Sequence, residues 1–171
     1  LPQAAQAGER AIEVLLAPRG ERQPWHRVAL GGRRGHLAAA ALPYALRDDA
    51  KVVQITQGPT TTLQLLRRDR FGDASTWRLL TDGYSMTAID RYAIRYMQMF
   101  AWLPFALHPD PRRALLISYG AGSTAQALLS DPQLRELTVV DLSPEIIGAS
   151  PVIHGADDPL GDPRVRLVVE D

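Results

Sequence analysis

No cysteine occurs in the 171 residues. That absence excludes disulfides, thiol catalysis and every Cys-ligated zinc or iron–sulfur site, while leaving the redox compartment open. Lysine is nearly absent too: Lys51 is the single lysine among 19 basic residues, a bias that fits genome composition rather than function. Those 19 are matched by 19 acidic residues, so no chain-wide basic field exists to hold a polyanion and no nucleic-acid partner is expected. Long hydrophobic runs are lacking as well. The most apolar stretch, Tyr96 to Leu107, contains Gln98 and Pro104 and falls short of the roughly 18 to 20 residues a membrane helix needs, so this segment reads as soluble.

What remains, 46% hydrophobic and 22% charged, is the make-up of an ordinary globular domain long enough to bury a core. Disorder, collagen and coiled coil are excluded, and no internal repeat or low-complexity tract is present. The chain begins Leu1-Pro2 without an initiator Met and stops at Val168-Val169-Glu170-Asp171, an apolar strand running into acid. We therefore expect a piece of a longer protein.

Three segments are expected. Residues 1–50 are Ala- and Arg-rich, a linker or a helical segment, with helical stretches around Ala11 to Leu16 and Gly35 to Leu46 interrupted by Gly31-Gly32 and Pro43. Residues 51–89 form a small antiparallel β region, from Val52 to Thr56, Thr60 to Leu66 and Trp77 to Thr81, with turns at Gly58-Pro59, Arg70 to Asp73 and Asp82-Gly83. Residues 90–171 open a Rossmann-like domain. Asp90 caps a helix to about Leu103 with Ile94, Met97 and Ala101 inward; Ala114 to Ile117, Leu137 to Val140 and Val165 to Val169 are continuous apolar strands; Ser123 to Ser130 and Pro144 to Ala149 are helical. Such strands alternating with helices predict a parallel sheet buried on both faces and truncated by the chain end.

The chemistry is carried by Gly120-Ala121-Gly122 between the first strand and the helix at Ser123, with Asp141 at the tip of the next strand, 19 residues after Gly122. Two glycines let the backbone turn sharply and approach a ligand at a helix N-terminus, and an acid so placed accepts ribose hydroxyls. The unit reads as a nucleoside site. Gly120 to Ala125 also fits G-x-G-x-x-G/A, which leaves NAD open, and a glycine turn that serves packing alone is the bland alternative. Neither His108 nor His154 has a second ligand at metal spacing, so no metal is expected, and Ser118 and Ser123 lack a His-Asp pairing for hydrolysis. Asp90, Arg91, Tyr92, Arg95 and Tyr96 read more simply as a solvated face plus core than as substrate contacts.

Several stretches together resemble a known family: Leu80-Thr81-Asp82-Gly83, Leu103 to Ile117, the glycine turn, Leu137 to Ile147, and Asp162 to Asp171. From about residue 50 onward the chain resembles the spermidine synthase (polyamine aminopropyltransferase) family. The likeness is nearest to a divergent bacterial branch in which such a domain follows membrane helices. The resemblance implies a small β region ahead of a Rossmann-like, S-adenosylmethionine-dependent methyltransferase-type fold. It implies a pocket for decarboxylated S-adenosylmethionine or S-adenosylmethionine at Gly120, Ala121, Gly122, Ser123, Asp141, Leu142 and Asp171, with Asp82, Tyr84 and Met86 on the substrate side. A small amine would be the acceptor, the family's catalytic aspartate would lie downstream of Asp171, and a homodimer and a cytoplasmic location, with any membrane attachment outside this chain, would follow.

Departures from the pattern are equally specific. Where the family's loop reads Gly-Gly-Gly-Asp-Gly-Gly, this chain has Ser118-Tyr119-Gly120-Ala121-Gly122-Ser123. Ala121 thus replaces the acid that contacts the donor's amine, a loss of roughly 1.5 to 3 kcal/mol for a cationic donor. Met86 stands where a glutamine follows the family's turn, and the expected tyrosine falls at Ile94. Aminopropyl transfer therefore leads, with methyl transfer, a non-catalytic nucleoside-binding domain and an NAD-dependent oxidoreductase as the alternatives.

Overall fold

Between Lys51 and Ile89, short alternating runs of β-formers separated by tight turns fold into antiparallel strands. In a computed structural model of the chain, residues 15–16, 26–27, 33–58, 61–69 and 76–170 are described. Two short strands, β1 (Leu15–Leu16) and β2 (His26–Arg27), precede a helix, α1 (Arg33–Asp48). Then come β3 (Lys51–Gln57), β4 (Thr62–Arg68), β5 (Thr76–Thr81) and β6 (Tyr84–Ile89). These six strands form one sheet in the order β2-β1-β3-β4-β5-β6, antiparallel except where β1 pairs parallel to β3. The helix expected over Ala11 to Leu16 is corrected at Leu15 and Leu16, which are strand; residues 11–14 lie outside the described residues. The second expected helix is present and runs through Pro43.

The sheet buries both faces. On one, Leu66 and Leu80 meet Ala41 of α1; on the other, Leu63, Leu65 and Leu79 meet Ala149 from a helix of the second half. Arg78 closes the α1 side, donating from Nε to Asp48 Oδ2 at 2.5 Å beneath the Tyr44 ring. Burial pushes the Asp48 carboxyl up, but hydrogen bonds from Arg47 and Arg78 outweigh it and hold the group below its ordinary range.

The second half begins with α2 (Arg91–Leu107), whose N-cap Asp90 accepts from the Tyr92 and Ala93 amides as the sequence predicts. The helix passes Pro104 and ends four residues later than expected, with the His108 amide bonded to the Pro104 carbonyl. It leads into β7 (Arg113–Ile117), α3 (Ser123–Leu129), β8 (Glu136–Asp141), α4 (Pro144–His154) and β9 (Val165–Val169). The three strands are parallel in the order β7-β8-β9. Ala101 of α2, Ala125 and Leu128 of α3, and Leu137 and Val139 of β8 form their core. Ile146 of α4 packs on both cores, so α4 lies between the two sheets.

Burial on both faces of the parallel sheet is not met. Leu115 is 63% and Ile117 72% exposed, because both crossovers lay their helices on one face and, among the described residues, no element covers the other. A groove of about 670 Å³ runs along the outer edge of β7, lined by Tyr96, Phe100, Phe105, Leu115 and Ile117.

Arg164 fastens this half. Its guanidinium donates to the Leu129, Asp131 and Leu134 carbonyls and to both Asp162 oxygens, so the end of α3 and the start of β9 share one side chain. The hydrogen bonds from Arg164 hold the Asp162 carboxyl below its ordinary range. A depressed folded value contributes stability above the unfolded value of about 4, which is lost as pH falls through the folded one. Wild type is thus expected to exceed Asp162→Asn in unfolding free energy by a constant amount above about pH 5, the gap closing toward about pH 2. Denaturant titrations across that range check this, and a gap independent of pH overturns it.

Candidate functional site

Parallel pairing of Ile117 with Val140 brings the tips of β7 and β8 side by side, and the chain must turn at both. The first turn is the glycine segment. Gly120 and Gly122 have φ of +60° and +81°, and Ser118 is also left-handed at +69°. The need for glycine is sharpest at 122, where a Cβ would stand 2.5 Å from Tyr119 Oη and 2.7 Å from His154 Nε2. Gly120 is held by its backbone angle rather than by crowding, its nearest neighbour being Thr87 Cγ2 of β6 at 3.8 Å from a built Cβ.

Asp141 joins the two turns. Its Oδ2 accepts the Tyr119 amide at 2.7 Å and its Oδ1 the Ser143 amide at 2.8 Å, and the residue is 5% exposed. Ser143 then caps α4, its Oγ accepting from the Ile146 amide and donating to Glu145 Oε2 at 2.8 Å. Glu145 lies against Gly58, where any side chain would overlap its carboxylate, so the β3–β4 turn closes directly onto the start of α4.

The structure thus brings together Gly120, Ala121, Gly122, Ser123 and Asp141. Ala121 is buried, and the buried Ser123 hydroxyl has no hydrogen-bond partner among the described residues. Leu142 follows Asp141 and is exposed, while Asp171 lies outside the described residues. Asp82 serves its hairpin: its carboxylate accepts the Thr62 amide at 2.8 Å and the Thr61 hydroxyl at 3.2 Å, and with Gly83 it supplies the two positive φ values of a primed turn. Tyr84 (73%) and Met86 (66%) are exposed on β6. Register steps from Leu79–Thr87 to Leu80–Ser85, leaving Met86 as an extra residue, and this bulge returns Tyr84 to the face of the sheet that carries Thr87.

Three contributors escaped the sequence reading. Thr87 borders Gly120, the Tyr119 phenol fills the space beneath Gly122, and His154, weighed from the sequence only as a metal ligand, is the last residue of α4 with Nε2 2.8 Å from the Ala121 carbonyl. Their only sequence signal is the wrong size of Tyr119 for a glycine-rich turn. Among the described residues no group of three or more His, Asp or Glu side chains could hold a metal ion.

A parallel β-α-β-α-β unit with a glycine turn and an acid at adjacent strand tips defines a Rossmann-like, methyltransferase-type α/β protein. Solved structures agree: spermidine synthase from Thermotoga maritima superposes with a TM-score of 0.60 at 23% identity over 70% of this chain and 41% of that one. A probable spermidine synthase from Corynebacterium glutamicum gives 0.51 at 23% identity, over 68% of this chain and 44% of that one. A further neighbour at 0.60 is spermidine synthase in complex with the transition-state analogue AdoDATO. By sequence, the polyamine aminopropyltransferase of Bacillus subtilis (strain 168) is 30% identical over 125 residues, 71% of this chain and 42% of that protein. That of Desulforudis audaxviator is 34% identical over 73 residues, 42% of this chain and 26% of that protein. No family model matches the chain. Taken together, these likenesses place the chain in the spermidine synthase family, at low identity. It spans less than half the length of these relatives.

Because Gly122 is left-handed and overlies the buried Tyr119 and the half-buried His154, Gly122→Ala meets both backbone strain and overlap. It is expected to cost about 2 kcal/mol or more, measured as a fall in unfolding free energy, whereas Gly148→Ala, with open space around its built Cβ, is expected to cost nothing.

Proposed function

We propose that this chain supplies the nucleoside-binding part of an aminopropyltransferase: it binds decarboxylated S-adenosylmethionine at the Gly120–Ser123 turn beside Asp141. The observation that carries this is the Asp141 carboxylate, which ties the glycine turn of β7 to the tip of β8 where a ribose would lie. Membership of the spermidine synthase family supplies the donor class. The nitrogen of an amine attacks the carbon beside the sulfonium, the carbon–sulfur bond breaks with its electron pair returning to sulfur, and the amine surrenders a proton. Methylthioadenosine leaves. Positioning of donor and acceptor supplies the rate, and in this reading the proton goes to the family's catalytic aspartate, expected downstream of Asp171. Tyr84, returned by its bulge to the side of Thr87, and Met86 and Asp82 on the same hairpin border the acceptor side in this reading. Cytoplasmic placement and a homodimer belong to the same family-based proposal; no helix among the described residues is long and apolar enough to cross a membrane.

A second reading, methyl transfer from S-adenosylmethionine, is favoured by one observation: Ala121 is buried and apolar where the family's loop carries an acid for the donor's amine. The buried Ser123 hydroxyl, without a partner among the described residues, offers either donor a hydrogen bond.

Calorimetric titration with decarboxylated S-adenosylmethionine, S-adenosylmethionine, methylthioadenosine and NAD separates these readings. Preference for the decarboxylated donor or methylthioadenosine is expected. Preference for S-adenosylmethionine moves the assignment to methyl transfer, binding of NAD alone removes the nucleoside-donor reading, and binding of none leaves a non-catalytic domain. Asp141→Asn keeps one acceptor for two backbone amides and is expected to weaken the preferred nucleoside by about tenfold or more.

A further inference from the structure

Beneath the glycine turn lies a set of side chains that the nucleoside reading does not use. Tyr119 Oη is 2.6 Å from Ser150 Oγ, and Ser150 donates to Asp158 Oδ1 at 2.6 Å, where the Leu160 amide also donates. Ser150 has one proton and a carboxylate only accepts, so Tyr119 must be the donor to Ser150. Burial pushes the Tyr119 phenol well above its usual range, which keeps that proton in place. On the other side of Gly122, the Gln126 amide nitrogen meets His154 Nδ1 at 3.1 Å, and His154 Nε2 meets the Ala121 carbonyl at 2.8 Å. With Gln126 donating, Nδ1 accepts, so the neutral ring carries its proton on Nε2 and donates it to Ala121.

Both chains converge on one point. Tyr119 Oη and His154 Nε2 are the nearest atoms to a Cβ placed on Gly122, at 2.5 and 2.7 Å. A glycine at position 119, as the family's loop has, could not form the first chain, and the second grips the carbonyl of Ala121 itself. We propose that Tyr119 and His154 are positioning residues of the nucleoside site, holding the Gly120–Gly122 turn in its ligand-accepting shape from below. Tyr119 does so through Ser150 and Asp158, and His154 through Gln126. The role rests on the nucleoside reading above for its ligand but not for its geometry.

The test measures two quantities in wild type, His154→Ala, His154→Gln, Gln126→Ala and Tyr119→Phe: affinity for methylthioadenosine, and amide hydrogen exchange of the unliganded chain. His154→Ala is expected to weaken methylthioadenosine about tenfold, the worth of one backbone-directed hydrogen bond, and to accelerate exchange at residues 118–123 without a matching change in β3 to β5. His154→Gln, whose amide offers both a donor and an acceptor, recovers most of both losses. Gln126 is exposed, so Gln126→Ala folds normally and moves both readouts part of the way, and Tyr119→Phe acts in the same direction. Wild-type affinity and unchanged local exchange in His154→Ala overturn the proposal. So does acceleration spread over the whole chain with no recovery in His154→Gln, which marks a purely structural role. If wild type itself fails to bind methylthioadenosine, the nucleoside reading falls, and the exchange data alone decide whether the turn is held from below.

Discussion

One buried carboxylate sets the geometry of everything near the site. Two parallel strands ending side by side leave backbone amides just past their tips with no ladder partner, and an unmade buried hydrogen bond costs about 1 to 3 kcal/mol. Asp141 accepts one such amide from each turn, Tyr119 on the first and Ser143 on the second. The consequence runs outward in both directions. Fixing Tyr119 fixes the glycine turn and the start of α3; fixing Ser143 fixes the cap of α4, whose Ile146 and Ala149 then meet Leu63, Leu65 and Leu79 of the other sheet.

Strain in the backbone is concentrated at the turns this arrangement requires. Asp49, Asp82 and Ser118 are the described non-glycine residues with positive φ. Aspartate is among the non-glycine residues that tolerate that region, and Asp82 is held there by bonds across the sheet, its carboxylate accepting the Thr61 hydroxyl and the Thr62 amide. Ser118 has no such preference and bears roughly 1 kcal/mol of strain. Its amide donates to the Val140 carbonyl at 2.8 Å, so the ladder between β7 and β8 runs one residue beyond the strand and forces the reversal into Ser118.

Much of this was legible from residue order. Continuous apolar runs ending in Gly-x-Gly and then Asp mark strand, turn and strand tip, because those positions obey local rules: branched apolar residues in strands, glycine at positive φ, an acid facing amides. Asp90 announced its helix for the same reason. The helix ends were less legible: α2, expected to about Leu103, passes through Pro104, and α4, expected to Ala149, continues through Pro151 to His154, the lost hydrogen bonds being offset by packing of Ala101 on one side and of Ala149 and Val152 on the other. The uncovered face of β7 was illegible because continuous hydrophobicity reports what a strand can bury, not what covers it. Tyr119, Ser150, His154 and Asp158 were hidden for a different reason. Their partners lie up to 33 residues away, and nothing in local periodicity encodes such a meeting.

The charge around the turn bears on the donor. The segment from Ser118 to Ser123 has no ionisable group other than the Tyr119 phenol, which burial keeps neutral. The acids just beyond it are committed: Asp141 to two backbone amides, Glu145 to the Ser143 hydroxyl. A decarboxylated donor brings a sulfonium and an ammonium, whereas S-adenosylmethionine offsets its ammonium with its own carboxylate. Binding the first at this turn requires a counter-charge from elsewhere, because a buried or half-buried cation without one is costly. On the aminopropyl reading, that counter-charge has to come from an acid other than those at the Ser118–Ser123 turn, Asp141 and Glu145, and Ala121 is tolerable only where such an acid comes within reach of the donor's ammonium.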